Sequence, residues 1–588
     1  MSLSLQNSLR CFAVFSLALL SCWQVHADGI PSEDDLPTTR FDDQLSTNWV
    51  AAVRAVLPAQ YSETGRFDFQ AATNGLHKES RRGNVAAQAL WGYTLVLLSH
   101  SPESTDQGLK WLLISAEKGH TPAMLHLGLL YEIGKYVPQD NAAAFHWYQQ
   151  AADAGNAEAQ LQLGGCFHYG LGTTTDLSMA ASYFRLSAGQ TNYSAMKSLG
   201  YCLMNGLGVV TNVDEARYWF LRAANEGRNR RAMYNLGVLE MQKYPDTNAM
   251  KEGFRWMKQS ADLGDALAAY ELSNFYFRGW GGTDTNLASY HDWRFKAATW
   301  GATDAQFFMG QAFRLGDGVP TNLESSLFWY RKAAAKNHPA ALYDLALLYR
   351  EEPTNGVSVQ TADKLMLRAA QMGHREAQFQ CALGCFRAHT APDFESGREW
   401  LSQAAESEWP KAEFLLFQLY YNGLSPVKDG PAYPKDKTEG IKWLRRAAAH
   451  GFFQAQSVLA VMLIQGKDLE PNVGEAEKLL RDAAEYGFAQ AQNDLGFAIL
   501  NRDLVSMDPT EPAMWCKLAI SHTADTNILK RANINLANAM ARLTAEQQQE
   551  VNDRVLRFQP QPLPEIDPKI RDWQKNPDYQ REDGRYGH

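Results

Sequence analysis

The chain has 588 residues, of which 45% are hydrophobic, a share typical of a folded protein with a buried core. Its formal net charge of −9 excludes a protein that binds nucleic acid chiefly through the phosphate backbone, because such binding needs a net basic surface. The length allows several domains or one long array of repeats.

Residues 1–27 have the pattern of a secretory signal peptide. Arg10 precedes an apolar stretch from residue 11 to residue 23, and the small-residue pattern that follows places a cleavage site between Ala27 and Asp28. The stretch is shorter than the ~20 residues that a membrane span requires. The pattern therefore predicts an exported protein, periplasmic or secreted, with no membrane span. Lipidation of Cys22, which would anchor the protein, is the less favoured alternative.

Two segments of different composition precede the repeats. Residues 28–45 are acidic and poor in apolar side chains, a composition typical of a disordered linker. Residues 46–84 contain apolar side chains at helical spacing. We expect them to form N-terminal helices that cap the following array.

A repeat of about 36 residues dominates residues 85–525. In each copy an aromatic residue or a leucine stands four residues before a small pair, as Trp147 stands before Ala151-Ala152. The twelve marking residues are Trp111, Trp147, Tyr183, Trp219, Trp256, Trp293, Trp329, Leu365, Trp400, Trp443, Leu479 and Trp515. They are 35–37 positions apart, except for one interval of 43 that contains a proline-rich insertion. Such regularity indicates a tandem array of one structural unit.

One copy, residues 193–228, shows what each repeat forms. Apolar and small residues recur at three- and four-residue steps around Leu199, which predicts an amphipathic helix. Gly206 and Gly208 mark a turn, and Asn212 with Glu215 has the pattern of a capping box that starts a second helix. One helical hairpin cannot bury its apolar face alone, so the hairpins must stack. The sequence therefore predicts an all-α solenoid of about twelve helix–turn–helix repeats.

The repeat resembles the Sel-1-like repeat, a relative of the tetratricopeptide repeat. The resemblance rests on the Ala…Leu-Gly…Tyr-Gly…Ala…Tyr-Phe…Ser-Ala-Gly pattern of residues 159–189, which recurs in register through residues 85–525. It implies a right-handed superhelix that binds other proteins or peptide segments as a scaffold. Some secreted, cysteine-rich members of the family are linked to β-lactam binding or hydrolysis, but this chain lacks their cysteine pair in each repeat. A cell-wall protein that binds peptidoglycan or a β-lactam-like ligand, with weak hydrolase activity, is the alternative function.

Two further segments follow the array. Residues 526–558 are apolar at helical spacing, and Thr544 with Gln547 has the capping-box pattern, so we expect helices that cap the last hairpin. Residues 559–588 are rich in proline and charge, which predicts a disordered tail.

One catalytic-type pattern occurs in the sequence: Ser194 and Lys197 match the Ser-x-x-Lys of penicillin-recognising enzymes. It lies on the first helix of a repeat and no Lys-Thr-Gly accompanies it, so a structural role is favoured. Zinc-protease, P-loop and nucleophile-elbow patterns are absent, and the histidines show no metal-ligand spacing. The sequence therefore predicts no catalytic residues, no metal site and no cofactor, and hence a protein that is not an enzyme.

The candidate partner-binding residues lie on the first helices of repeats five to ten. Four residues after the Leu-Gly glycine position, these repeats carry Met241, Phe277, Arg314, Arg350, Phe386 and Tyr421. Three residues before it, they carry Tyr234, Tyr270, Phe307, Tyr343, Phe379 and Phe414. Aromatic residues and arginine dominate the hot spots of protein–protein interfaces. We expect the first set to line a groove, with Tyr270, Phe307 and Tyr343 of the second set as further candidates. For the second set, however, the favoured interpretation is that its rings fill space between hairpins.

Overall fold

The computed structural model describes residue 56 and residues 69–98, 101–134, 136–243, 247–351, 359–388, 391–426 and 432–561. The predicted signal peptide 1–27 with its cleavage site at Ala27 and Asp28, the alternative at Cys22, the linker 28–45 and residues 562–588 of the predicted tail lie outside the described residues. The described residues form helices and no strands. None of the helices in these ranges is both long enough and apolar enough to cross a membrane.

Twelve helical hairpins follow one another through the described residues from 85 to 522. Their first helices, the A helices, span Val85–Leu98 (α2), Thr121–Ile133 (α4), Ala157–Tyr169 (α6), Tyr193–Asn205 (α8), Arg230–Lys243 (α10), Ala266–Arg278 (α12), Thr303–Leu315 (α14), Pro339–Glu351 (α16), Arg375–Ala388 (α18), Pro410–Asn422 (α20), Phe453–Gln465 (α22) and Ala489–Leu500 (α24). Their second helices, the B helices, span Pro102–Glu117 (α3), Asn141–Asp153 (α5), Leu177–Gly189 (α7), Val213–Asn225 (α9), Thr247–Asp262 (α11), Leu287–Thr299 (α13), Leu323–Ala335 (α15), Val359–Gln371 (α17), Ala391–Glu406 (α19), Lys437–Ala449 (α21), Val473–Glu485 (α23) and Glu511–His522 (α25). The predicted all-α repeat solenoid is confirmed.

The chain divides into two compact units, residues 1–338 and residues 339–588. The first unit contains α1 (Phe69–Arg81) and seven hairpins, and the second contains five hairpins followed by α26 (Thr526–Met540) and α27 (Ala545–Arg557). Within each unit, consecutive helices of the hairpins pack against one another. The capping roles of segments 46–84 and 526–558 stay predictions.

The glycine of the Leu-Gly pair lets the two helices of a hairpin approach closely. Gly200 on α8 faces the buried ring of Phe220 on α9, and a Cβ atom added to Gly200 would lie 2.7 Å from ring carbon Cε1. In the same way, other repeats pair Gly128 with Tyr148, Gly164 with Phe184 and Gly310 with Tyr330. The 36-residue repeat therefore encodes a glycine that makes room for a buried ring on the partner helix.

The turn between the helices also joins neighbouring hairpins. Gly206 ends α8 with a φ of 69°, and Gly208 follows with a φ of 69°. A Cβ atom on Gly208 would lie 2.1 Å from the backbone carbonyl of Leu177, the first residue of α7 in the preceding hairpin. The backbones of two hairpins thus meet at this glycine.

The start of α9 confirms half of the predicted capping box. The Asn212 side chain accepts a hydrogen bond from the backbone N–H of Glu215 at 3.0 Å, as predicted. The backbone N–H of Asn212, however, donates to the carbonyl of Leu203. The Glu215 carboxylate instead accepts from Arg185 on α7 at 2.5 Å, which ties two hairpins together. At Thr544 both halves of the predicted capping box form.

Glutamines of the following repeat cap the B helices. The fourth residue of an A helix donates through Nε2 to the backbone carbonyl eight residues earlier, near the end of the preceding B helix. The pairs in the described residues include Gln160 to Ala152, Gln306 to Ala298, Gln378 to Ala370, Gln456 to Ala448 and Gln492 to Ala484, at 2.9–3.3 Å. Each of these carbonyls also accepts from the backbone N–H of the glycine three residues later, so the glutamine adds a second donor at the end of the B helix.

Candidate partner-binding site

The A helices of the first unit expose large apolar side chains near their C-terminal ends. Tyr169 is 61% exposed and Leu315 is 73% exposed, and Ile133, Tyr201 and Phe277 are also exposed. Equivalent ends of neighbouring A helices stand side by side in a repeat stack. These five residues, here called the A-end row, therefore give one face of the first unit a series of exposed apolar side chains.

The predicted groove residues of the first unit separate into exposed and packed positions. Phe277 is exposed, and its ring centroid lies 5.1 Å from that of Tyr290 on α13. Met241 packs instead onto Gly253 of its own hairpin and belongs to the partly buried layer over the core. Arg314 is half-buried. Of these three predicted residues, only Phe277 offers a largely exposed side chain.

The predicted residues of the second unit are engaged within that unit. Arg350 forms an ion pair with Asp363 at 2.7 Å. The Tyr421 hydroxyl donates to the Asp468 carboxylate at 2.6 Å. Both side chains remain partly accessible, but each is held by a partner from its own or the next repeat.

Three of the predicted groove residues are buried, which corrects their assignment to an open groove. Phe386 packs onto Gly397 of its own hairpin. Phe307 stacks on His338 with 4.7 Å between ring centroids. Tyr343 stacks on His374 at the same distance. Each histidine stands directly before the next A helix, so Phe307 and Tyr343 fill space between hairpins, in line with the favoured interpretation of the second set.

Tyr270 does contribute to a cluster on the A-helix side of the first unit, centred on Arg294 of α13. The Arg294 guanidinium carbon lies 5.1 Å from the ring centroid of Tyr270, 4.5 Å from that of Tyr290 and 4.7 Å from that of Phe308. Arg294 is only 7% exposed. Stacking a guanidinium on aromatic rings is favourable, and more so where water is excluded. Tyr270, Asn274, Tyr290, Arg294 and Phe308 are called the Arg294 cluster below.

Arg294 occupies a position that is apolar in every other repeat. The residue after the marking aromatic or leucine is Leu112, Tyr148, Phe184, Phe220, Met257, Tyr330, Met366, Leu401, Leu444, Leu480 or Cys516 in the eleven others, all buried. The glycine that normally faces this side chain is also replaced, by Ser273, whose Oγ lies 3.4 Å from Arg294 Nε. The sixth repeat thus replaces a glycine and a buried apolar residue with two polar residues that contact each other.

Asn274 links the arginine to a carboxylate. Arg294 Nη2 donates to Asn274 Oδ1 at 2.8 Å, and Asn274 Nδ2 donates to Glu271 Oε2 at 3.3 Å. Among the described residues, no carboxylate forms an ion pair with Arg294. Burial raises the pKa of Glu271, and burial likewise raises the pKa of Tyr270 to about 12. The cluster therefore holds a cation and an acid that are bridged by an amide rather than in direct contact.

A second series of polar contacts joins successive A helices. The second residue of one A helix contacts the residue before the next A helix in Glu158–Asn192 at 2.9 Å, Arg231–Asp265 at 3.5 Å and Asp304–His338 at 3.2 Å. The hydrogen bond from His338 lowers the pKa of Asp304. In contrast, burial raises the pKa of Glu158 to about 7, because its partners Asn192 and Gln162 are uncharged.

The contribution of Glu158 to the stability of the first unit is expected to fall as the pH rises from about 4.5 to about 7. The ordinary pKa of Glu158 is 4.5, so in this window the folded chain keeps a proton that the unfolded chain has lost. Glu158→Gln should flatten this part of the profile, because an amide does not titrate. Thermal unfolding measured at pH 4.5, 6 and 7.5 tests this. A decline of equal size in Glu158→Gln would contradict the assignment.

The second unit contains a buried carboxylate at a position where other repeats have the capping glutamine. Glu413, the fourth residue of α20, is 0% exposed, with Oε1 3.0 Å from Arg446 Nε and Oε2 2.8 Å from His450 Nδ1. A carboxylate cannot donate to the preceding B helix, and Arg446 Nη2 donates to the Ala405 carbonyl in its place, at 3.2 Å. The arginine thus performs the capping function and balances the buried charge.

The described residues contain no group of histidine, cysteine, aspartate and glutamate side chains arranged to hold a metal ion. The Arg294 and Glu413 clusters combine cations with amides or carboxylates, and neither places a nucleophile beside a base. The arrangement suits recognition and packing.

A comparison with known families identifies the repeats. The Sel1 repeat model matches ten segments, residues 85–120, 121–156, 157–192, 194–227, 230–265, 266–288, 303–338, 376–408, 410–452 and 453–487, which together make up more than half of the chain. The chain belongs to the Sel1-repeat family. The hairpins α16/α17 and α24/α25 lie outside the matched segments yet have the same A and B helices, so the Sel1-type array of this protein is longer than its family match.

Curated relatives share parts of this Sel1 array. The chain is 27% identical over 179 residues to chitin synthase regulatory factor 3 of Schizosaccharomyces pombe, covering 29% of this chain and 19% of that protein. It is 28% identical over 239 residues to a chitin synthase regulator of Saccharomyces cerevisiae, covering 39% and 34%. The chain thus spans less than half of the length of these relatives.

Solved structures also resemble this Sel1-repeat protein. A protective antigen of uropathogenic Escherichia coli strains that displays an SLR fold is 26% identical, with a TM-score of 0.48, covering 83% of this chain and 94% of that chain. A Sel1 repeat protein from Oxalobacter formigenes is also 26% identical, with a TM-score of 0.38, covering 52% and 87%.

The prediction of an exported protein, periplasmic or secreted, is wrong. Several relatives are named as regulators of chitin synthase in fungi, and these names give no support to a periplasmic or secreted protein. The apolar stretch within residues 1–27 is a compositional pattern and does not by itself carry a conclusion about export.

Sequence reasoning missed the Arg294 cluster of this Sel1 protein because it searched the A helices, where partner-binding side chains were expected. Comparing the repeats along the B helices would have found it: the residue after Trp293 is the only charged one at its position in the twelve repeats. The replacement of the facing glycine by Ser273 is a second indication of the same kind.

Proposed function

We propose that this Sel1-repeat protein is a non-catalytic scaffold that binds another protein or a peptide segment through the A-helix side of its first unit. The observation that carries the proposal is the A-end row, since exposed apolar side chains repeated along one face commonly mark interaction surfaces. Family membership supports it, as do relatives that are named as regulators of another enzyme.

The proposed surface combines exposed apolar area with aromatic and arginine side chains, as the centres of protein–protein interfaces do. Phe277 and Leu315 supply apolar area, and Phe277 contacts Tyr290 of the Arg294 cluster. Aromatic residues and arginine are enriched where binding energy concentrates. The proposed surface therefore differs from the predicted groove: it keeps Phe277 and Tyr270 and adds Tyr169, Leu315 and the Arg294 cluster.

Affinity capture with matched variants tests the scaffold. In Tyr169→Glu/Phe277→Glu/Leu315→Glu, three apolar residues of the A-end row become acidic. The control variant, Leu186→Glu/Phe295→Glu/Phe328→Glu, changes three exposed apolar residues of the B helices α7, α13 and α15 in the same unit.

Proteins bound by the wild-type chain should be lost from the first variant and retained by the control, as measured by quantitative mass spectrometry of captured proteins. Circular dichroism establishes that both variants keep their helices. Equal retention by the two variants would contradict the placement of the surface, and loss from the control alone would place binding on the B helices.

A further inference from the structure

Arg294 is a buried cation whose charge is not matched by a direct partner. A guanidinium has five N–H donors. The described contacts of Arg294 use two of them, to Ser273 Oγ and Asn274 Oδ1. These contacts therefore leave three N–H donors of Arg294 unused. The residue is nevertheless only 7% exposed to solvent.

Removing a charge from water without an ionic partner is costly, and the packing of this fold does not require it. Eleven other repeats fill the same position with an apolar side chain. One repeat departs from this pattern in two residues, Ser273 and Arg294, which form a polar contact in place of apolar packing. Glu271 and Asp304 interact electrostatically with Arg294, but neither pairs with it directly among the described contacts. An acceptor from a bound molecule would supply such a direct partner.

We propose, building on the proposed scaffold function, that Arg294 anchors an acidic side chain of the bound partner, with the apolar neighbours of that side chain packed against Tyr270 and Phe308. A carboxylate matches the planar donor edge of a guanidinium and neutralises its charge. Asn274 and the rings hold the guanidinium in place, so Arg294 is set for binding before the partner arrives. The Glu271 carboxylate, which accepts from Asn274, repels an incoming carboxylate and so weakens binding. The charge of Glu271 is therefore a sensitive probe of the bound group.

The effect of one substitution on binding affinity distinguishes an acidic from a basic bound side chain. If the occupant is a carboxylate, Glu271→Gln removes a repulsion and tightens binding. If the occupant is a basic side chain that pairs with Glu271, the same change weakens binding. The two chemistries thus give opposite results with the same variant.

The test uses a displayed library of random twelve-residue peptides. Peptides are selected for binding to the full wild-type chain and, separately, to the full-length variant Ser273→Gly/Arg294→Phe. This double variant restores the glycine and buried ring found in other repeats, as in Gly200 with Phe220. It should therefore fold at least as stably as the wild type, which thermal unfolding verifies.

Peptides selected by the wild type should share an aspartate or glutamate next to apolar residues. Replacing that residue with its amide should weaken binding to the wild type by roughly 30-fold, measured by fluorescence anisotropy, and leave binding to the double variant unchanged. Peptides that bind both proteins equally, or basic peptides that bind Glu271→Gln more weakly, would overturn the inference and leave the scaffold function standing. Failure of the wild type to select any peptide would contradict the scaffold function as well.

Discussion

Replacing Arg446 with methionine is expected to lower the free energy of unfolding of the second unit by roughly 3–5 kcal/mol. The change removes one of the two groups that pair with the fully buried carboxylate of Glu413, at 3.0 Å, and the donor that caps the Ala405 carbonyl. Methionine keeps an unbranched stem but removes the guanidinium, whose central carbon lies 4.6 Å from the centroid of the Trp443 ring. Urea titration with hydrogen exchange of α20 and α21 measures the loss.

The pH dependence of this loss has a definite sign. Burial raises the pKa of Glu413, so the folded chain keeps a proton at pH values where the unfolded chain has lost it. Stability from this group is therefore greatest at low pH and declines as the pH rises through the raised pKa. The deficit of Arg446→Met should be larger at pH 8 than at pH 5, because the carboxylate then remains charged with His450 as its remaining partner.

A second change should rescue the first. In Glu413→Gln/Arg446→Met the amide can donate to the Ala405 carbonyl, as Gln456 donates to Ala448 in the next repeat. The buried charge is gone, so most of the lost stability should return. A double variant as unstable as Arg446→Met would show that the arginine acts through packing rather than through charge and capping.

Replacing Gly208 with alanine is expected to destabilise the first unit by roughly 2–5 kcal/mol. One part of the loss comes from a side chain at a φ of 69°. The larger part comes from the new Cβ, which would lie 2.1 Å from the backbone carbonyl of Leu177, where no flexible side chain can move aside. The shift in the thermal unfolding midpoint of the full chain measures the effect.

Gly119 provides a matched control for this glycine. Its φ is 80°, and no atom lies within 4 Å of the position that a Cβ would take. Gly119→Ala therefore carries only the backbone penalty, about 1–2 kcal/mol. Equal losses in the two variants would mean that backbone conformation alone, and not contact between hairpins, requires glycine at position 208.

The fold could be predicted because its local signals recur. Gly206 and Asn212 act within their own repeat, so their roles follow from sequence spacing, and the structure confirms both. The Glu215 side chain could not be placed in this way, because its partner Arg185 belongs to the preceding hairpin and lies 30 positions earlier. Contacts between hairpins decide such side chains, and one repeat taken alone does not contain them.

The candidate site was predicted only in part, for a related reason. Spacing placed Phe277 and Phe386 at the same position of their A helices, but Phe277 is exposed whereas Phe386 is buried against Gly397. What differs is the facing B helix, which presents a glycine to Phe386. Arg294 was missed because it approaches the A-helix side from a B helix, in a position that periodicity assigns to the core.

The capping glutamines have a consequence for how the chain forms during synthesis. Gln160, Gln306 and Gln492 each donate a second hydrogen bond to a B helix that was translated before them, through a carbonyl that also accepts from the glycine of the turn. A hairpin that has just left the ribosome therefore has only the hydrogen bond from the turn at that carbonyl. It gains the second one when the first turn of the next A helix has formed. The end of each B helix should accordingly reach its final hydrogen bonding one helical turn of the next repeat after it is translated. A chain that stops at the end of a B helix would lack that second hydrogen bond.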